Sequence, residues 1–107
     1  MSEGRYARAK RLLGIACFNK GDFTAAALHL QQALNINPQF AASWFRLGAC
    51  ALKMKDWPLA RTAYANVVSL EPEDGDAWAN LCTVLMQLNE MGQAFRAISE
   101  ATKVCSC

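Results

Sequence analysis

Apolar and polar residues recur along this chain with a helical rhythm. Trp44, Leu47, Gly48 and Ala51 fall at i, i+3, i+4 and i+7, which places them on one face of a helix. The rhythm then repeats. Leu13, Leu47 and Leu81 form one column at a spacing of 34 residues, and Ala26, Ala60 and Ala94 form another. Trp44 aligns with Trp78, Gly14 with Gly48, and Pro38 with Pro72. A fixed period of this length predicts a stack of like units, none of which buries its apolar face alone. Each unit reads as two amphipathic helices, so the pattern predicts six helices over about 6–19, 23–36, 41–53, 57–70, 75–87 and 91–104. No alternating run bounded by turn dipeptides signals a strand.

The joints between helices carry their own signals. Pro38 and Pro72 stop one helix and set the start of the next, because proline lacks a backbone donor and restricts the residue before it. Asp22 and Asp56 stand where a carboxylate can accept from the free N–H groups of a second helix. Pro58 falls in the first turn of its helix, where a missing donor does no harm. Gly14 and Gly48 are expected where the two helices of a unit come closest, facing the small Ala26, Ala60 and Ala94 column. Trp44 and Trp78 are expected to fill the space between successive units. Lys10 holds the tryptophan position in the first unit, as suits a face with no earlier unit to bury it. Cys82 replaces the glycine in the third, which predicts a wider approach there.

The 107 residues suffice for one domain of three such units. No apolar stretch approaches the roughly 20 residues that span a bilayer, and no secretion signal opens the chain, so no membrane contact and a cytoplasmic setting are expected. Net charge is +2, too little to point to nucleic acid. Its distribution is uneven. Arg5, Arg8, Lys10, Arg11 and Lys20 crowd the first unit, while Glu71, Glu73, Asp74, Asp76, Glu90 and Glu100 crowd the last. One end of the stack should be basic and the other acidic, either as a solvated surface or as a means of orienting a partner or a second copy.

Candidate chemistry is sparse. Cys17, Cys50 and Cys82 fall in apolar helical stretches and read as small core residues in a reducing compartment. Cys105 and Cys107 lack the further ligands a metal site needs, His29 being remote. His29 reads as a surface or edge residue. Neither Ser43 nor Ser69 lies in a nucleophile elbow, and no glycine loop could cradle a phosphate of a nucleotide. Glu73 and Asp74 sit at a helix start, where negative charge suits the dipole. No enzyme activity and no cofactor are expected.

The pattern W-x2-L-G-x2-Y…A-x3-F…P over 34 residues resembles the tetratricopeptide repeat. The second unit reads Trp44, Leu47, Gly48, Ala51, Ala60, Tyr64, Pro72; the first reads Lys10, Leu13, Gly14, Cys17, Ala26, Leu30, Pro38. The third reads Trp78, Leu81, Cys82, Leu85, Ala94, Ile98, Ser106. The period counts against the related pentatricopeptide repeat, an RNA reader of 35 residues. The resemblance implies an all-α, right-handed solenoid of six antiparallel helices. Repeats at 7–40, 41–74 and 75–107 would form one domain, cut from a longer solenoid.

The first helices carry a second stripe beside the packing stripe. It comprises Arg8, Arg11, Ile15, Phe18 and Asn19 in unit one, and Ala42, Phe45, Arg46, Ala49, Leu52 and Lys53 in unit two. In unit three it comprises Asp76, Ala79, Asn80, Thr83, Met86 and Gln87. A helix apolar on two faces is buried on both or keeps one for a ligand. In the family such positions line a concave groove for a partner peptide. The resemblance thus implies apolar contacts from Phe18, Phe45, Leu52 and Met86, and cationic ones from Arg11, Arg46 and Lys53. Asn80 and Gln87 would hold a peptide backbone, and the partner would be apolar with acidic character.

Family members that hold the acidic C-terminal tails of chaperones use Lys, Asn and Arg residues where this chain has Arg11, Ile15, Arg46, Asp76 and Asn80. Ile15 cannot donate and Asp76 repels a carboxylate, so tail capture is not expected. The leading expectation is a protein-interaction scaffold. The alternatives are the targeting arm of a larger enzyme, and self-association through uncapped ends. Phe95, Ile98, Ala101 and Val104 would be left partly uncovered, which predicts a dimer or marginal stability.

Overall fold

The computed structural model describes residues 2–88, 96 and 98–100, with side chains from residue 5 onward. Five helices run in order: α1 (Ser2–Lys20), α2 (Phe23–Ile36), α3 (Ala41–Met54), α4 (Trp57–Leu70) and α5 (Gly75–Gln87). No strand occurs among the described residues. Residues 96 and 98–100 are helical, inside the predicted sixth helix. Ala94, Phe95, Ala101, Val104, Cys105 and Cys107 lie outside the described residues, as does the Asn89-Glu90 turn. Four of the five helices end within a residue of expectation. The exception is α1, which starts four residues early, at Ser2 rather than Tyr6. No proline stops it there, whereas α3 and α5 follow Pro38 and Pro72.

Carboxylate caps fix where helices begin. Asp22 Oδ1 accepts from the Ala25 N–H at 3.2 Å, and Asp56 Oδ1 accepts from the Leu59 N–H at 3.3 Å. Asp74 does the same for α5, accepting from Ala77 at 3.1 Å. Each cap satisfies a backbone donor that the first helical turn leaves unpaired, which stabilises by about 1 kcal/mol. Pro58 sits in the first turn of α4, as its sequence position required.

Every helix packs on the next in sequence, and α1 also touches α3. The hairpins close through their glycines. A Cβ on Gly48 would stand 2.6 Å from the Tyr64 ring, and one on Gly14 would stand 2.7 Å from Leu30 Cγ. Both partners are almost wholly buried. Trp44 packs against both buried clusters, one built on Ala26, Leu30 and Leu47 and the other on Ala60, Tyr64 and Leu81. It joins successive units as the sequence suggests. Its indole N–H donates to the Pro38 carbonyl at 2.7 Å, and Trp78 donates to the Pro72 carbonyl at 2.7 Å. The tryptophan and proline columns recur together because each pair closes one inter-unit corner.

Candidate partner-binding trough

The stack places α1, α3 and α5 along one face. Two cavities open there, on either side of α3. The first, of about 240 Å³, lies between α1 and α3 and is lined by Arg8, Arg11, Leu12, Ile15, Leu30, Phe40, Ala42, Ser43 and Arg46. The second, of about 450 Å³, is lined by Ala41, Ala42, Phe45, Arg46, Ala49, Val67, Glu71, Asp74 and Asp76. Ala42 and Arg46 belong to both walls. Small residues make the room: alanines on one face of α3 leave its neighbours' side chains unopposed.

The charge gradient read from the sequence reappears across α3. The first cavity has three arginines and no carboxylate in its wall. The second has Glu71, Asp74 and Asp76 against Arg46. Arginines of the first wall rest on aromatic faces. The Arg11 guanidinium carbon lies 4.1 Å from the Phe40 ring centroid, and that of Arg46 lies 5.3 Å from the Phe18 centroid. Such stacking stabilises by about 0.5–1 kcal/mol at partly exposed sites and holds the planar donor fork in one orientation. Among the described residues, no ion pair engages Arg8, Arg11 or Arg46. Ser43 is 3% exposed, and its Oγ has no hydrogen-bond partner among the described residues.

The stripe residues divide into those that meet and those that do not. Arg8, Arg11, Ile15 and Arg46 share the first cavity, and Phe45, Arg46 and Ala49 share the second. Phe18 is half-buried, edge-on to Phe23 with centroids 5.3 Å apart. Phe45 stands edge-on to Tyr64 at 5.5 Å, so it is both a wall and a packing residue. Leu52 packs against the second buried cluster. Asn19, Lys53, Thr83, Met86 and Gln87 are exposed and line neither cavity. Asn80 is half-buried and also lines neither. Thr83 instead donates back to the Ala79 carbonyl at 3.2 Å.

Sequence reasoning passed over Phe40 and Ser43 as site residues. Phe40 lies one residue outside its helix, and Ser43 sits in an alanine-rich turn where only burial sets it apart. A signal was available for Phe40, an aromatic held between Pro38 and a helix start.

Burial pushes the Cys50 thiol up to about 11, with Arg46 pulling weakly the other way. Burial likewise pushes Tyr64 up to about 12, with Cys50 adding to the rise. Cys17, Cys50 and Cys82 are free thiols. His29 is half-buried rather than a plain surface residue, and its Nδ1 has no partner among the described residues. Among those residues no group of three His, Cys, Asp or Glu could hold a metal, and no helix is long and apolar enough to cross a membrane.

Comparison with known proteins agrees with this architecture. Residues 14–55 match the family described as TPR repeat, and residues 42–74 match the tetratricopeptide repeat. The Tetratricopeptide repeat-containing protein trd-1 of Caenorhabditis elegans is 32% identical over 103 residues, which are 96% of this chain and 13% of that protein. The human Protein O-mannosyl-transferase TMTC3 is 30% identical over 66 residues, 62% of this chain and 7% of that protein. The chain spans roughly an eighth of the length of two curated relatives that it matches (13% and 12%). Among solved structures, the MamA RS-1 ArsTM double mutant superposes with a TM-score of 0.87 at 25% identity, covering 94% of this chain and 56% of that one. The TPR2B-domain:pHsp70-complex of yeast Sti1 does so at 0.81 and 20% identity, covering 94% and 80%. With its period, glycine and tryptophan columns, stacked hairpins and these matches in accord, the chain belongs to the tetratricopeptide repeat family and folds as its right-handed α-solenoid.

Proposed function

We propose that this chain is a protein-interaction scaffold whose α1–α3–α5 face receives a segment of a partner protein. The observation that carries this reading is the pair of cavities flanking α3, walled by the exposed Phe40, the half-buried Phe45 and arginines that no carboxylate among the described residues pairs with. A core has no use for such walls. Partner segments supply the missing apolar and anionic groups, and the contacts come from Arg8, Arg11, Ile15, Phe45, Arg46 and Ala49. Phe18, Asn19, Leu52, Lys53, Asn80, Thr83, Met86 and Gln87 extend the surface along the same helices. The repeats run over 7–40, 41–74 and 75–107 as part of a longer solenoid, consistent with relatives roughly eight times longer (the match covers 13% of one).

Affinity capture from lysate tests this reading, comparing wild type with Phe45→Ala plus Arg46→Glu and with Leu28→Ser on the opposite face. Circular dichroism checks that each variant is folded. Loss of captured proteins with the first variant alone is expected. Equal capture by all three would overturn the assignment of this face.

A second reading is favoured by the partial likeness to TMTC3: the repeats serve as the targeting arm of a larger enzyme. In that case the same face would present substrate proteins to a separate catalytic domain.

A further inference from the structure

The first cavity is over-supplied with positive charge for an ordinary acidic side chain. Arg8, Arg11 and Arg46 all line one space of about 240 Å³, and its wall contains no acid. A single carboxylate carries one charge and is satisfied by one bidentate arginine. Three arginines gathered in one wall repel one another, and a ligand that carries more than one negative charge offsets that repulsion best.

A run of acidic residues would supply that charge but would not fit the surroundings. It would extend past α3 into the second cavity and meet Glu71, Asp74 and Asp76. The two cavities share Ala42 and Arg46 in their walls, so the basic and acidic regions stand on opposite sides of one helix, about 10 Å across. An extended chain covers that width in about three residues. The negative charge must therefore be concentrated at one point.

Ser43 adds an independent observation. Ser43 lines this cavity, and its buried Oγ has no partner among the described residues. A buried hydroxyl left unpaired is costly, and a rotation that brings it to a ligand oxygen in the cavity would recover that cost. Arg11 and Arg46 are already braced on Phe40 and Phe18, so little side-chain freedom is lost when they bind. Apolar Leu12, Ile15 and Phe40 complete the wall and suit the carbon atoms of a side chain that bears the charge.

We propose that the cavity between α1 and α3 receives a phosphorylated serine or threonine of the partner segment. A phosphomonoester carries about −1.5 to −2 charges near neutral pH and offers three acceptor oxygens. That matches three arginine forks with a serine hydroxyl as a further donor. The proposal rests on the scaffold reading above and names the chemistry its partner presents.

The test uses pools of end-capped nine-residue peptides with mixed flanking residues and a fixed central position, immobilised separately. The central residue is phosphoserine, glutamate or serine. Retention of the wild-type chain on the phosphoserine pool is expected to exceed that on the serine pool at least about tenfold, as for gain of charge-assisted bonds. It should also exceed retention on the glutamate pool. Arg11→Gln plus Arg46→Gln should abolish the difference, Ser43→Ala should reduce it a few-fold, and Lys20→Gln, outside the cavity, should leave it intact.

Equal retention on the phosphoserine and glutamate pools would overturn the proposal, as would a phosphoserine preference that survives the double arginine variant. No preference among the three pools would overturn it as well. The scaffold reading is judged separately by the Phe45-dependent capture experiment. Capture unaffected by phosphatase treatment of the lysate would leave the scaffold standing and remove the phosphate.

Discussion

The α1–α2 and α3–α4 hairpins are built from the same columns, yet equivalent residues meet different surroundings. Leu13 is 46% exposed and Leu47 only 1%. Gly14 faces the branch of a leucine, Gly48 the ring of a tyrosine. The turn residue in a left-handed conformation is Gly21 at φ 86° in the first hairpin and Lys55 at φ 57° in the second. The caps are the same, Asp22 and Asp56. What is local to a hairpin is thus repeated, and what depends on a neighbouring unit is not. The middle hairpin has α2 on one side and α5 on the other, whereas α1 leaves Tyr6, Leu12 and Leu13 exposed.

The largest expected effect separates the two leucines. Leu47→Ala should destabilise by about 2–5 kcal/mol through lost burial and a residual cavity, while Leu13→Ala should cost less than about 1 kcal/mol. Urea unfolding curves decide this, and equal costs would break the contrast. The glycines come next. Gly48→Ala should destabilise by about 1–3 kcal/mol, because the new methyl meets rigid ring atoms. Gly14→Ala should cost less, since Leu30 can turn aside and alanine favours the helix by about 1 kcal/mol.

A smaller and opposite pair of effects lies in the turns. Lys55→Gly should stabilise by about 1 kcal/mol, because glycine avoids the Cβ crowding of the left-handed region. Gly21→Ala should destabilise by a similar amount, about 1 kcal/mol, for the same reason. Thermal melts of both variants measure this. The smallest effect is absent at neutral pH. Cys50 and Tyr64 are raised in the folded chain, from 9.0 to about 11 and from 10.0 to about 12. The unfolded chain therefore releases these protons first as pH rises. Stability should be flat with respect to these groups below about pH 9 and fall between about pH 9 and 12. Cys50→Ala should remove the lower part of that fall.

Much of the fold was legible because its signals are local. Asp22, Asp56, Pro58, Pro38 and Pro72 each mark a helix end by backbone chemistry that needs no neighbour. The start of α1 was not legible, since nothing in residues 2–5 stops a helix. The stripe on the first helices was visible as periodicity, but spacing along a helix does not say which side chains converge across two helices. Arg8 and Arg46 meet at one cavity, while Lys53 and Gln87, equally periodic, line neither. Ser43 stood out only when its burial was known, and Phe40 because a residue outside a helix escapes a helical pattern. The pairing of Trp44 with Pro38 is a tertiary hydrogen bond; the sequence shows both columns but not their connection.

Photo-crosslinking tests the central claim most directly. A benzophenone amino acid is placed at position 45 on the α1–α3–α5 face, or at position 28 on the face of the second helices, in the chain expressed in cells. Discrete crosslinked partners from position 45, suppressed by excess unlabelled wild type and absent from position 28, are the predicted result. Crosslinks of equal yield from both positions, or from position 28 alone, would contradict the account.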